Sequence, residues 1–353
     1  MNNIGYQTHY YFQIYGGMIF LKANTKEIMK MKSYNWAIVG PGRIAEDFCS
    51  EFPSEQTLYG VASSHDPNKA KQFAKKFNIK HTYQDYEDLL NDPQVDIVYV
   101  ATTNNFHFDN IKHALTAGKH VFSEKPVTLN TSQLQELITI SKEKHLILME
   151  AQTIYHMPLY DKLTEFIRDQ QLGQLKSIQV SFGMHIDKTQ TKDRLLNPNL
   201  AGGALLDMGI YAISFARRFM TAAPKLVATQ MVPTSTGVDD VSTYLLTNDN
   251  NELCTMNFNM LADMPTIGYV IYENGYFIIE NYLRPENAVF INADTGGKQL
   301  IIAGKTDIAM GYEALDMAKA VETGDNDTLD WTVQTMNVMT QARKDWDFKY
   351  PNE

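Results

Sequence analysis

The chain has 353 residues, 44% of them hydrophobic and 20% charged, enough to bury a large core and to divide into two domains. Its 41 acidic against 31 basic residues give a formal net charge of −10, which speaks against non-specific attraction to nucleic acid or anionic membranes. Two cysteines, Cys49 and Cys254, offer neither a disulfide framework nor metal-ligand spacing and fit the cytoplasm, and no run approaches the roughly 20 apolar residues of a membrane span.

Residues 1–32 alternate poorly, lack a basic leader region, and carry in "GGMIFL" an apolar run too short for a signal core. They are expected to be a dispensable extension, with Met29 or Met31 as the working initiator. From Asn35 the pattern sharpens: the apolar run "NWAIVG", the turn "PGR", then the helical pattern "IAEDFCSEF". "TLYGVASS", "VDIVYVAT", "KHVFSEKP" and "LILMEAQ" read as further strands. The segments "PNKAKQFAKKF", "EDLLND", "HFDNIKHALTAG" and "TSQLQELITISKEKHL" read as the helices between them, the last capped by Asn130 or Thr131. This alternation predicts an α/β fold whose residues 33–152 form a doubly wound parallel sheet, a Rossmann domain.

After Thr153 the grammar changes. A helix "PLYDKLTEFIRDQ" leads to "KSIQVSFG", then to a glycine-started helix "AGGALLDMGIY", then to short alternating runs punctuated by Gly, Asn and Asp. Two helices, "GYEALDMAKAVETG" and "TLDWTVQTMNVMTQARKDW", close the chain. Residues 153–353 are therefore expected to be an α+β domain with an open, mainly antiparallel sheet, serving substrate binding and oligomerisation.

Gly40-Pro41-Gly42-Arg43-Ile44-Ala45 has the pattern G-x-G-x-x-A between a strand and a helix, the arrangement that seats a dinucleotide pyrophosphate on a helix N-terminus. At the tip of the second strand, where an NAD-selective domain carries a carboxylate for the ribose, stand Ser63, Ser64 and His65, with Asp66 two residues past the serines. Without a carboxylate to repel a 2′-phosphate, and with Arg43 and those residues able to donate to it, the reading leans to NADP over NAD. Glu124 and Lys125 end a parallel strand, where open α/β sheets bind ligands, and His107 follows the third strand. Asp207 and Tyr211, four apart, share one helix face. A tyrosine serves as a base near neutrality only beside a cation, and Lys125 can supply that charge, with Asp207 orienting it. His81, His107, His113 and His120 lack the converging geometry of a zinc site, so no metal is expected.

Taken together, "AIVGPGRIA", "ATTNNFH", "AGKHVFSEKPVTLN", "GGALLDMGIY" and "GYEALDMAKAVETG" resemble the Gfo/Idh/MocA oxidoreductase family from about Tyr34 to the end. Within it they are most similar to the branch of dimeric dihydrodiol dehydrogenases, NADP-dependent xylose dehydrogenases and glucose-fructose oxidoreductases. The resemblance implies that Lys125 belongs to the family's E-K-P motif beside nicotinamide and substrate, that Tyr211 is the proton donor or acceptor, and that Asp207 orients the substrate. Thr102 and Asn104 then fall in the loop that shapes the nicotinamide pocket, where Thr103-Asn104-Asn105 replaces the commoner Pro-His-Pro. "EAQTIYHMP" departs from the Trp-containing segment of dihydrodiol-dehydrogenase relatives and brings Gln152, Tyr155 and His156 towards the substrate.

The resulting expectation is an NAD(P)-dependent enzyme moving hydride between nicotinamide and a sugar, polyol or cyclic diol. It would be a homodimer or homotetramer built through the second sheet. The alternative is a sensor of the same fold that binds the dinucleotide without turnover.

Overall fold

The computed structural model describes residues 9–15, 18–24, 31–63, 66–187, 194–351 and 353. Ahead of the main body, His9–Tyr15 and Met18–Asn24 pair as an antiparallel hairpin forming a sheet of its own, where the sequence suggested no element.

Six parallel strands follow: β1 (Asn35–Val39), β2 (Thr57–Ala62), β3 (His81–Thr82), β4 (Ile97–Val100), β5 (His120–Glu124) and β6 (Leu148–Ala151). Their spatial order is β3-β2-β1-β4-β5-β6, so the direction of winding reverses between β1 and β4 and opens a crevice beyond their carboxyl ends. The central strands are apolar on both faces, as helices on both sides require: Trp36, Ile38, Val98, Tyr99 and Phe122 are fully buried. Helices α1 (Arg43–Glu51) and α2 (Pro67–Phe77) cover one face, and α3 (Tyr86–Asn91), α4 (Asn104–Thr116) and α5 (Thr131–Glu143) the other.

Beyond β6 come α6 (Thr153–His156) and α7 (Pro158–Asp169), then β7 (Leu175–Gly183), a helical segment ending in α8 (Ile210–Phe219), and seven more strands. These are β8 (Lys225–Pro233), β9 (Asp239–Thr247), β10 (Leu253–Asn259), β11 (Met264–Tyr272), β12 (Gly275–Glu280), β13 (Asn287–Asn292) and β14 (Lys298–Ile302). The eight run β8-β9-β10-β7-β11-β12-β13-β14, antiparallel except where β10 meets β7. One face packs on α8, with Phe215, Phe258 and Phe277 fully buried. The segment Pro198–Phe219 is long and apolar enough to cross a membrane by length and composition, contrary to the sequence reading, but it is 78% buried within the protein and serves as a core helix.

The last two helices, α9 (Ala309–Thr323) and α10 (Leu329–Asp345), return to the parallel sheet. Met310, Ala314 and Met317 of α9 join the core on the α1 face, and Met336 of α10 joins the opposite one. The C-terminal helices thus clasp the first sheet and bring their polar residues to the junction with the second.

Candidate active site

The glycine turn is built for close approach. Gly40 has φ +90°, and a Cβ there would stand 2.7 Å from the Ala101 carbonyl oxygen, so only glycine fits. Gly42 differs: a Cβ would meet nothing within 4 Å, and it precedes α1 with no side chain capping the helix. The first-turn N–H groups of α1 therefore face open space at the positive end of a helix dipole. Ala45, fully buried, lets α1 lie close on the sheet, Ile44 is half-buried, and Arg43 is exposed beside the turn. These residues fit a dinucleotide pyrophosphate.

At the tip of β2, Ser63 is buried and its hydroxyl accepts from Asp66 N at 3.3 Å. The Asp66 carboxylate caps α2, accepting from Asn68 N at 2.9 Å, and does not reach back towards a ribose. Ser64 and His65 lie outside the described residues.

The loop after β4 is tied down by its own side chains. Thr102 Oγ1 accepts from Asn110 Nδ2 at 3.2 Å, and Asn104 Nδ2 donates to the Ala201 carbonyl at 3.0 Å, binding α4 to the second half of the chain. His107, expected near the cofactor, is fully buried with both ring nitrogens on main-chain carbonyls, Pro126 O at 2.7 Å and Thr102 O at 3.0 Å. It pins the turn after Lys125 against the tip of β4, and burial holds its pKa below the ordinary histidine value despite those two bonds. Glu124 likewise turns inward, accepting from the Tyr99 hydroxyl at 2.6 Å, and burial raises its pKa.

Lys125 leaves β5 into the crevice and meets the second half of the chain. Its Nζ donates to the Asp207 carbonyl at 2.8 Å, lies 3.4 Å from Asp207 Oδ1, and sits 4.4 Å from the centre of the Tyr211 ring. The expected α-helix is here a π-helix over Leu205–Gly209, in which Ile210 N reaches back five residues to the Leu205 carbonyl before α8 begins. Such widened turns concentrate at functional sites. Asp207 lies inside the wide turn and Tyr211 just past it, so both reach Lys125 without the regular four-residue stacking.

The two glycines ahead of this turn admit protein, not ligand. A Cβ on Gly202 would come within 2.5 Å of the Leu195 carbonyl oxygen; on Gly203, whose φ is +117°, it would come within 2.3 Å of Asp239 Oδ1. Asp239 Oδ2 in turn accepts from Leu205 N at 2.7 Å and fixes the start of the π-helix.

The charges in this cluster are interlocked. Burial opposes the Asp207 carboxylate, but Lys125 and Arg194, the latter 3.2 Å away, outweigh it and hold Asp207 below the usual aspartate range. Burial also opposes the Lys125 ammonium, and Asp207, Tyr211 and Glu124 together raise its pKa above the ordinary value. Tyr211 runs against the sequence expectation. Burial is the largest influence on it; Lys125 pulls down, Glu124, Asp207 and Glu313 push up, and the phenol ends above its ordinary value. Lys125 covers the ring face, and among the described residues no hydrogen bond engages the hydroxyl.

Of the residues brought forward as substrate-lining, Tyr155 is a core group whose hydroxyl bonds Ser214 and Thr335, each at 3.0 Å. His156 is buried with Nδ1 2.9 Å from Asp316, and Gln152 is fully buried. Three further residues escaped the sequence reading. Arg194 carried no motif. Glu150 ends β6 and accepts from Val127 N at 3.0 Å, holding the turn after Lys125, and burial lifts it to about 7. Glu313 sat within the recognised "GYEALDM" stretch but looked like an exposed helix charge; it is 1% exposed.

Comparison with known proteins agrees with this architecture. Residues 34–152 match the profile described as oxidoreductase family, NAD-binding Rossmann fold, and 160–277 that of the GFO/IDH/MocA C-terminal domain. The trans-1,2-dihydrobenzene-1,2-diol dehydrogenase of Mus musculus is 31% identical over 258 residues, 72% of this chain and 77% of that protein. The D-xylose 1-dehydrogenase (NADP(+)) of Hypocrea jecorina is 35% identical over 201 residues, 51% of each. A solved 3-ketoreductase from Actinomadura kijaniata, in complex with NADP and TDP-benzene, superposes with a TM-score of 0.78 at 23% identity, covering 89% of this chain and 98% of that one.

Proposed function

Because the chain belongs to the Gfo/Idh/MocA family of oxidoreductases, with an NAD-binding Rossmann fold, we propose that it transfers hydride to or from the hydroxyl-bearing carbon of a sugar, polyol or cyclic diol, with Tyr211 as acid and base. The observation that carries this reading is the convergence of Lys125, Asp207 and Tyr211 at the carboxyl edge of the parallel sheet. When bound, the nicotinamide supplies or takes the hydride. The chain's own groups handle the oxygen and its proton. The Tyr211 phenol, kept protonated at neutral pH by burial, is poised to give its proton to a carbonyl oxygen as that oxygen gains charge. In the opposite direction it must first lose the proton, and the Lys125 ammonium favours that loss. Lys125 also offers its remaining N–H to the substrate oxygen, and Asp207 with Arg194 fixes the ammonium in place.

The absence of a carboxylate free to meet the ribose at the β2 tip supports NADP over NAD, since Asp66 is committed to its helix. Exposed Val227, Val232, Leu253, Leu300 and Ile302 on strands of the second sheet support pairing of subunits through that sheet. Two free, buried cysteines support a cytoplasmic setting.

Titration with NADP(H) and NAD(H), followed by a sugar and polyol screen monitored through the reduced nicotinamide, tests this reading. NADP(H) should bind more tightly, and Tyr211→Phe should lower kcat by about 100-fold. Unchanged turnover in that variant refutes the acid–base role, and tight cofactor binding with no turnover of any polyol would identify a sensor instead.

A further inference from the structure

Three polar side chains not used by the hydride chemistry are buried next to the site and poorly partnered. Gln152 is fully buried with neither amide atom hydrogen-bonded. His156 Nε2 is buried without a partner, and neither Glu313 oxygen has one in good geometry, the nearby Thr153 hydroxyl giving only weak relief. Polar groups left this way cost stability.

They form a line. Gln152, Thr153 and His156 sit in and just before α6, directly after Ala151, the strand neighbour of Glu124. Helix α6 packs on α9, which carries Glu313 and, one turn on, Asp316. At the outer end, His156 Nδ1 is 2.9 Å from Asp316 Oδ2, and the Asp316 side chain is 47% exposed. At the inner end, Glu313 lies within electrostatic reach of Tyr211, Glu124 and Tyr99.

We propose that Asp316, His156 and Glu313 form a buried proton relay between solvent and Tyr211, with Gln152 as a neutral positioning residue beside it; the relay rests on the acid–base reading of Tyr211. Each catalytic cycle leaves Tyr211 one proton short or one in excess, and a buried phenol with no bonded neighbour needs a route for it. After carbonyl reduction the Tyr211 phenolate takes the proton of the Glu313 carboxylic acid. The Glu313 carboxylate takes the Nε2 proton of the His156 imidazolium, and His156 regains one at Nδ1 from water at Asp316. Only O–H and N–H bonds form and break, and alcohol oxidation runs the line backwards.

The groups are suited to exchange near neutrality. Burial lifts Glu313 to about 7, with Glu124 adding to the rise and His156, Thr153 and Arg284 opposing it. Burial alone would lower His156, but the bond to Asp316 and the charges of Asp316, Glu313 and Asp327 bring it above its ordinary value.

Infrared titration of the unliganded protein tests the coupling independently of any substrate. The carbonyl stretch of a protonated carboxylic acid should disappear in Glu313→Gln, and its titration should move by at least half a pH unit in both His156→Gln and Tyr211→Phe. A Glu313 titration indifferent to both overturns the relay; should Glu313→Gln not fold, the same shift is sought in Asp316→Asn. With D-xylose and NADP+ as the probe pair, Glu313→Gln should slow steady turnover about tenfold, recover with rising imidazole buffer, and leave single-turnover hydride transfer intact. Loss of the single turnover itself would contradict the relay. A Tyr211→Phe variant with normal turnover would remove the acid–base reading while leaving the infrared coupling interpretable.

Discussion

The Lys125 ammonium lies over the face of the Tyr211 ring, 4.4 Å from its centre, while donating to the main-chain carbonyl of Asp207 at 2.8 Å. It stabilises a developing phenolate from the ring side and leaves the phenol oxygen free for substrate. Replacing Lys125 with methionine keeps the stem and removes the charge. Turnover should fall by about 100-fold or more, the range seen when a single stabilising donor is lost. NADP(H) affinity should change little, because the glycine turn holds the dinucleotide. Steady-state kinetics alongside a fluorescence titration separates the two, and a variant that loses only cofactor affinity would place Lys125 outside the chemistry.

The glycines make a second, paired prediction. Gly42→Ala should fold with an unchanged melting temperature, since its φ is −104° and a Cβ there meets nothing, yet it should weaken NADP(H) binding by tenfold or more by filling the pyrophosphate seat. Gly40→Ala, forced to φ +90° and against the Ala101 carbonyl, should lose on the order of 1–3 kcal/mol of stability. Denaturant unfolding and cofactor titration on both variants check the contrast. Equal binding by Gly42→Ala and the parent would mean the pyrophosphate sits elsewhere.

Arg194 is half-exposed and tethered to Asp207 at 3.2 Å, which points its guanidinium along the rim of the site. Arg194→Gln should raise KM for the substrate several-fold while leaving kcat within about threefold, because Asp207 keeps Lys125 as its partner. A collapse of kcat with KM unchanged would show that Arg194 acts on the reacting oxygen.

What the sequence revealed and what it hid divide along physical lines. The parallel sheet was legible because strands buried on both faces read as unbroken apolar runs, as in "IVYV", and because Gly40 and Gly42 sit where a strand must turn into a helix. Lys125, Asp207 and Tyr211 were legible as chemistry but not as geometry. Nothing in "LLDMG" announces a π-turn, which the surrounding packing and the Asp239 cap select. Burial was hidden as well. Glu150 and Glu313 look like surface charges in a one-dimensional string, and their rise to about 7 follows from α9 and α10 folding back over the first sheet. Burial likewise sends the Tyr211 pKa upward when the neighbouring lysine alone suggested downward.

Asp239 offers a test of the same effect away from the chemistry. Its carboxylate fixes Leu205 N at the head of the π-helix, and burial lifts its pKa from 3.8 to about 7, with Asp240 adding to the rise and Arg343 and two main-chain N–H groups opposing it. The folded state therefore holds this proton more tightly than the unfolded chain does. The associated stability is complete below about pH 4 and drains away as pH rises towards 7, by an amount on the order of a few kcal/mol. Asp239→Asn keeps an acceptor oxygen for Leu205 N but cannot titrate. Its melting temperature should fall less than the parent's between pH 4 and 7, so the two curves converge or cross as pH rises. Parallel curves across that window would mean that Asp239 is ionised in the folded protein throughout, and that the head of the catalytic helix is held by a charge.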